Sequence, residues 1–101
     1  MTNRAILIEY TGLEGRDLGY LPTLQQAQEI VGGYVESIEG KDEKRDKLVT
    51  LLVNEEGRLE SLPLNIRASV DYSVKSKHFP LVGNVIALYG WKELKQEETK
   101  V

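Results

Sequence analysis

Apolar residues recur at every second position near the start of the chain. "RAILIEY" sets Ile6, Ile8 and Tyr10 against Ala5, Leu7 and Glu9. A period of two predicts a strand over Arg4–Tyr10, apolar on most of both faces. The pattern lapses in Thr11–Tyr20, where three glycines predict a loop with a short extended piece around Leu18–Leu21. The period then changes. In "LPTLQQAQEIVGG", Leu24, Ala27, Ile30 and Val31 fall on one helical face and Gln25, Gln28 and Glu29 fall away from it. Thr23 is a good N-cap, and Gln26 three residues on completes a capping box. Gly32 can take the left-handed conformation that ends a helix, and Gly33 frees the next peptide for a sharp exit.

"YVESIE", Tyr34–Glu39, follows as a strand with Tyr34, Glu36 and Ile38 on one face and Val35, Ser37 and Glu39 on the other. The aromatic and aliphatic neighbours predict a buried first face. Glu36 then has two places open to it, a pocket or a sheet edge in reach of water. "GKDEKRDK", Gly40–Lys47, is a charge run that predicts a solvated hairpin loop. "LVTLLV", Leu48–Val53, is almost continuously apolar and predicts a central strand paired with Tyr34–Glu39. "NEEG", Asn54–Gly57, has turn chemistry. "RLESLPL" predicts a shorter returning strand ended by Pro63. From Asn65, a good N-cap, Ile66, Val70 and Val74 recur at helical spacing and predict a short second helix within Asn65–Ser76. The last strand is expected at Val82–Tyr89, with a bulge at Gly83.

The elements add up to an α+β domain. Its mainly antiparallel sheet has about five strands, with one main helix and a second short one. Residues 1–90 form this single domain, and 91–101 are a polar C-terminal tail, frayed or weakly helical. The length of 101 residues suits one domain.

Composition narrows the chemistry. The net charge of -3 argues against a nucleic-acid binder, which needs a basic face. The absence of cysteine removes disulfides, thiol nucleophiles and cysteine-ligated metals. The first residues lack the features of a signal peptide, and no run is long enough to span a membrane. His78 is the single histidine, and no serine sits in a glycine-flanked elbow, so no catalytic residue is assigned. "GLEGRDLG" lacks the lysine–serine pair of a phosphate loop. The carboxylates Glu36, Glu55, Glu56 and Asp71 fit no known metal loop. Neither a metal nor a cofactor is expected.

Ligand binding without catalysis fits better. Asn54, Arg58, Asn65 and Arg67 gather around one returning segment, and the helix started by Asn65 offers amides to an anion. Arg67 in its first turn opposes the helix dipole but suits a bound phosphate or carboxylate. Lys75, Lys77 and His78 add local positive charge, and Tyr34, Tyr72, Tyr89 and Trp91 offer stacking surfaces. The candidate ligand-binding residues are Tyr34, Glu36, Asn54, Asn65, Arg67, Tyr72 and Lys75.

Three motifs occur in order. The first is Ile30-Val31-Gly32-Gly33-Tyr34-Val35-Glu36. The second runs from Asn54, Glu55 and Gly57 to Leu62, Pro63 and Asn65. The third is Val82, Gly83 and Val85. Across about residues 21–90 they resemble a small domain family of unknown function common in bacteriophages, large viruses and mobile elements. The long charged loop Lys41–Lys47 and the acidic tail depart from its pattern. The resemblance implies a viral or mobile-element protein acting in the cytoplasm of a host cell. It supplies no activity. By analogy with small phage accessory proteins, the expected work is to counteract host defence, by sequestering a nucleotide signal or by blocking a host defence protein, as a homo-oligomer. The alternative is a nucleic-acid-associated accessory protein using Arg67 and Lys75–His78 as a local patch.

Overall fold

The structure is a computed structural model and describes residues 3–12, 14–75 and 79–90. The first strand, β1, runs Arg4–Ile8. After the glycine-containing loop, β2 is only Arg16–Asp17 and pairs antiparallel with β1. Helix α1 covers Leu24–Val31. Thr23 Oγ1 accepts from the Gln26 amide at 3.1 Å, and the Gln26 side chain accepts from the Thr23 amide at 2.9 Å. These bonds satisfy amides that a helix start otherwise leaves bare. At the other end Gly32 has φ 83°, a conformation that any Cβ would strain. Gly33 answers a different need: a Cβ there would stand 2.8 Å from Asn54 Nδ2.

Strands β3, Val35–Asp42, and β4, Lys47–Asn54, form one hairpin. Both are longer than the apolar pattern predicts, because the strands continue into the charge run. The turn is confined to Glu43–Asp46, where Asp42 Oδ1 accepts the amides of Lys44 and Arg45. Arg58–Leu64 does not form the predicted strand. Asn54 Oδ1 takes the Glu56 amide, and the chain coils through Glu60 N–H to Glu56 O and Leu62 N–H to Gly57 O. Leu64 keeps a single bridge, to Val82. Helix α2 is Ile66–Asp71, shorter than predicted, since Tyr72 turns extended and starts β5, Tyr72–Ser73. The last strand, β6, is Val85–Tyr89, because Gly83 at φ 69° turns the chain just before it.

The six strands of the described residues lie in one antiparallel sheet, ordered β2-β1-β6-β4-β3-β5. The expected number of about five becomes six through the two-residue strands at the edges. Ala5, Leu7, Leu52, Ile86 and Leu88 face one side and pack with Ala27 of α1. Ile8, Leu51, Val53, Val85 and Ala87 face the other, beneath Ala68 of α2, Tyr72 and Leu81. The strands at the centre are therefore covered on both sides, which is why β4 reads as an apolar run.

One burial expectation is corrected. Tyr34 precedes β3 and is 67% exposed rather than buried. The apolar stripe of α2 faces outward: Ile66 and Val70 are 65% and 72% exposed, and small Ala68 makes the inward contact. Among the described residues no helix is long and apolar enough to cross a membrane.

Candidate functional site: an arginine-lined cleft

At one end of the sheet a charged side chain is buried. Asp42, the last residue of β3, is 3% exposed. Its Oδ2 accepts from the Tyr89 hydroxyl at 2.7 Å and from Arg45 Nη1 at 3.0 Å. Its Oδ1 takes the two turn amides. Tyr72 and Tyr89 hydroxyls lie 2.7 Å apart. Since the Tyr89 proton points to Asp42, Tyr72 must be the donor between them. The protons therefore run one way, from Tyr72 to Tyr89 to the carboxylate.

This order sets the charge state of each member. Burial, the largest influence on Asp42, pushes its pKa up, but the bonds from Tyr89 and from the Arg45 amide and guanidinium together hold it below the ordinary value. Burial pushes the Tyr72 and Tyr89 phenols up, and for Tyr89 donation to Asp42 adds to the shift. The Asp42 hydrogen bond and charge raise Arg45 in turn.

Three arginines surround the two tyrosines. Arg4 of β1 is the cross-strand partner of Tyr89, so both project from the same face. Its guanidinium carbon lies 5.2 Å from the Tyr89 ring centroid. Arg45 reaches in from the β3–β4 turn. Arg67 comes from α2, with Nε 2.7 Å from Asp71 Oδ2, and the Asp71 hydrogen bond raises its pKa. Together they line a cleft of about 180 Å³ with Ile6, Ile8, Gly15 and the Asp71 carboxylate that pairs with Arg67. Arg45 uses one of its five donors on Asp42. Among the described residues the Arg4 guanidinium has the Tyr89 ring beneath it and no hydrogen-bond acceptor. Glu14 lies close enough for its charge to act on Arg67.

A second hollow of about 450 Å³ adjoins the first and shares Arg67 and Asp71 with it. Tyr10, Ile66 and Val70 give it an apolar wall, and Lys44 stands at its rim.

Only Arg67 and Tyr72 of the sequence-predicted residues meet in the cleft. Tyr72 is there as a buried hydrogen-bond donor, not as an open stacking face. Asn65 is fully buried: Nδ2 donates to the carbonyls of Ile8 and Gly83, and Oδ1 caps α2 through the Ala68 amide. Asn54 bridges the Val31 carbonyl, Glu60 and the Glu56 amide. These two asparagines hold loops to the sheet. Glu36 is half-buried on β3 opposite Val53. Tyr34 is exposed before that strand, and its carbonyl accepts the Glu55 amide. Lys75 is exposed and lines a different hollow with Lys41, Leu48 and Ser73. Ser76, Lys77, His78 and Trp91 lie outside the described residues.

Sequence reasoning missed Arg4, Asp42, Arg45 and Tyr10, and took Tyr89 for a stacking surface. One signal was available for Asp42. It keeps the two-residue period of Ile38 and Gly40, so a strand extended to residue 42 carries it onto the buried face. Among the described residues no group of three or more His, Cys, Asp or Glu could hold a metal ion.

A family model described as a domain of unknown function (DUF3846) matches residues 3–99. The chain belongs to this family. No curated protein and no solved structure matches it. The span matched by the DUF3846 model includes every residue of the cleft, from Arg4 to Tyr89.

Proposed function

We propose that this DUF3846 chain is a non-enzymatic binding protein for a small phosphorylated ligand, held in the arginine-lined cleft. The observation that carries the reading is the convergence of Arg4, Arg45 and Arg67 on one cavity, in a protein whose net charge is -3. Guanidinium groups fork onto phosphate oxygens, and a recessed site strengthens the attraction by excluding water. The ionised Asp42 fixes Arg45 from behind without entering the chemistry. The acids and phenols of the cleft also argue for binding rather than turnover. Asp42 accepts four hydrogen bonds and stays charged, while Tyr72 and Tyr89 hold their protons more tightly than a free phenol. Neither Asp42 nor either phenol is poised as a base or nucleophile at neutral pH. In a virus or mobile element, the setting that the sequence motifs imply, a stoichiometric binder of this kind would counteract a host by withdrawing a phosphorylated signal.

The test is a ¹H–¹⁵N chemical-shift titration with inorganic phosphate and pyrophosphate, following the arginine side-chain signals. Saturable shifts at Arg4 and Arg45 are expected, with affinity about tenfold weaker in Arg4→Gln. No shift at either arginine, with both anions in the tens of millimolar, would remove the site.

A further inference from the structure

We propose that the ligand is a nucleoside monophosphate, with its phosphate among the three arginines and its base in the adjoining hollow beside Tyr10, Ile66 and Val70. The proposal rests on the anion-binding reading of the cleft and names the class of molecule that fills it. Inorganic phosphate would occupy the smaller cavity alone. Arg67 and Asp71 line both hollows, so the two lie side by side along this ion pair, within reach of one molecule laid across it. Their chemistry differs sharply at that junction. One side presents guanidinium groups, phenols and the shared Asp71, the other a tyrosine ring and two branched aliphatic side chains with Lys44 beside them. A ligand that matches both has a compact anionic head and a flat, weakly polar body, which is the plan of a nucleotide.

The outward apolar stripe of α2 supports the second half. In an ordinary amphipathic helix Ile66 and Val70, four residues apart, would face the core. Here they stand in water while Arg67 and Asp71 line the cleft. Tyr10, 43% exposed, faces the same hollow. Its segment is fixed: the Tyr10 amide donates to Asn84 Oδ1 at 3.2 Å, and Asn84 Nδ2 donates to the Ile30 carbonyl at 2.9 Å. The backbone that carries the ring is thus placed before any ligand arrives, which limits the ordering cost of stacking a base to the side-chain torsions. Asp71 adds selectivity at the junction. A carboxylate there accepts from ribose hydroxyls or base N–H groups and repels a second phosphate. Monophosphates are therefore favoured over chains of phosphates that extend past Arg67.

The experiment is the same shift titration of the full chain, now with inorganic phosphate, ribose 5-phosphate and the four ribonucleoside 5′-monophosphates. It is run on the wild type, Tyr10→Ser and Val70→Asn, neutral changes that leave the charge around the cleft as it was, with sedimentation velocity on each. At least one nucleotide should bind tenfold or more tightly than phosphate. Both variants should lose that preference while keeping phosphate affinity within about twofold, since their side chains lie outside the cleft. If all nucleotides bind no better than phosphate, the base site is overturned and the anion site stands. If the variants keep the full preference, the base lies elsewhere and the assignment is equally wrong. If the chain dimerises, Val70→Asn makes it monomeric and no nucleotide is preferred, the hollow is an interface between copies. If neither phosphate nor any nucleotide binds, the anion reading fails and this inference falls with it.

Discussion

Asp42 is a charged side chain almost out of contact with water, and four hydrogen bonds keep it ionised there. Removing it would leave the Tyr89 hydroxyl, two amides and the Arg45 charge short of a partner. Asp42→Ala should therefore destabilise by about 3 kcal/mol or more. Tyr89→Phe, which withdraws one donor from Asp42 and one acceptor from Tyr72, should cost about 1–2 kcal/mol. Urea denaturation of both variants checks the order. The pH dependence follows from the directions of the shifts. A carboxylate held below its ordinary value of 3.8 contributes stability that is present above that pH and lost as pH falls through its folded value. Phenols held above 10.0 act in the opposite sense, so stability falls as pH rises past 10. Denaturation midpoints measured across pH should show both limbs in the wild type, with the acid limb reduced in Asp42→Asn. An unchanged acid limb in that variant would mean that other carboxylates carry it. Little of this was legible in "GKDEKRDK". One buried acid among exposed charges leaves no trace in composition, and its partners lie 3, 30 and 47 positions away. By contrast, the three motifs point mainly to scaffold. Asn54 sits against Gly33, and Asn65 holds the Gly83 carbonyl.

Helix α1 was legible because everything that defines it is local: the cap, the box, the apolar face and the glycine stop lie within eleven residues. Its exit gives a paired prediction. Gly32→Ala should cost about 1 kcal/mol for placing a Cβ at positive φ. Gly33→Ala adds its Cβ against Asn54 Nδ2 and should cost more, about 1–3 kcal/mol, by displacing the bond to the Val31 carbonyl. If Gly33→Ala proves as stable as the wild type, the close approach has no energetic weight. Strand β4 was legible as well, since an unbroken apolar run needs cover on both faces. Its Leu51 and Leu52 are fully buried between β3 and β6, so their amides should be among the slowest to exchange with deuterium. Exchange as fast as in the Glu55–Ser61 turn would contradict that placement. Arg58–Leu64 was misread for a physical reason. Short alternation of leucine with polar residues satisfies a strand pattern, but Asn54 starts a coil whose local bonds take the amides of Glu56, Glu60 and Leu62 that a ladder would need. The same limit hid the direction of α2. Periodicity shows that Ile66 and Val70 share a face but not which way that face points.

At the scale of the molecule, the cleft exists because β1 and β6, the first and last strands of the described residues, lie side by side. That adjacency puts Arg4 beside Tyr89, 85 positions away in sequence, and no local pattern announces it. The remaining cations of the site arrive from the β3–β4 turn and from α2, so the site is assembled entirely by topology. The charge balance of the whole then limits what can bind. A net charge of -3 weakens the pull on an extended polyanion overall, while the recess gathers three arginines at one place. The recess, at about 180 Å³, admits a compact phosphate group and not a duplex backbone. Salt dependence measures this directly, because the slope of log K against log salt grows with the number of phosphates neutralised, by roughly 0.9 per phosphate on duplex DNA. A small phosphorylated ligand in the cleft should show a shallow slope, about -1 to -2 between 50 and 300 mM salt. Duplex DNA of about 20 base pairs should show no measurable binding at about 150 mM salt. The alternative of a nucleic-acid accessory protein predicts the reverse, tight binding at low salt that falls along a slope of about -5 or steeper. Fluorescence anisotropy of a labelled duplex decides between them. A steep slope abolished by Arg67→Gln would transfer the arginines of this cleft from a small ligand to a phosphate backbone.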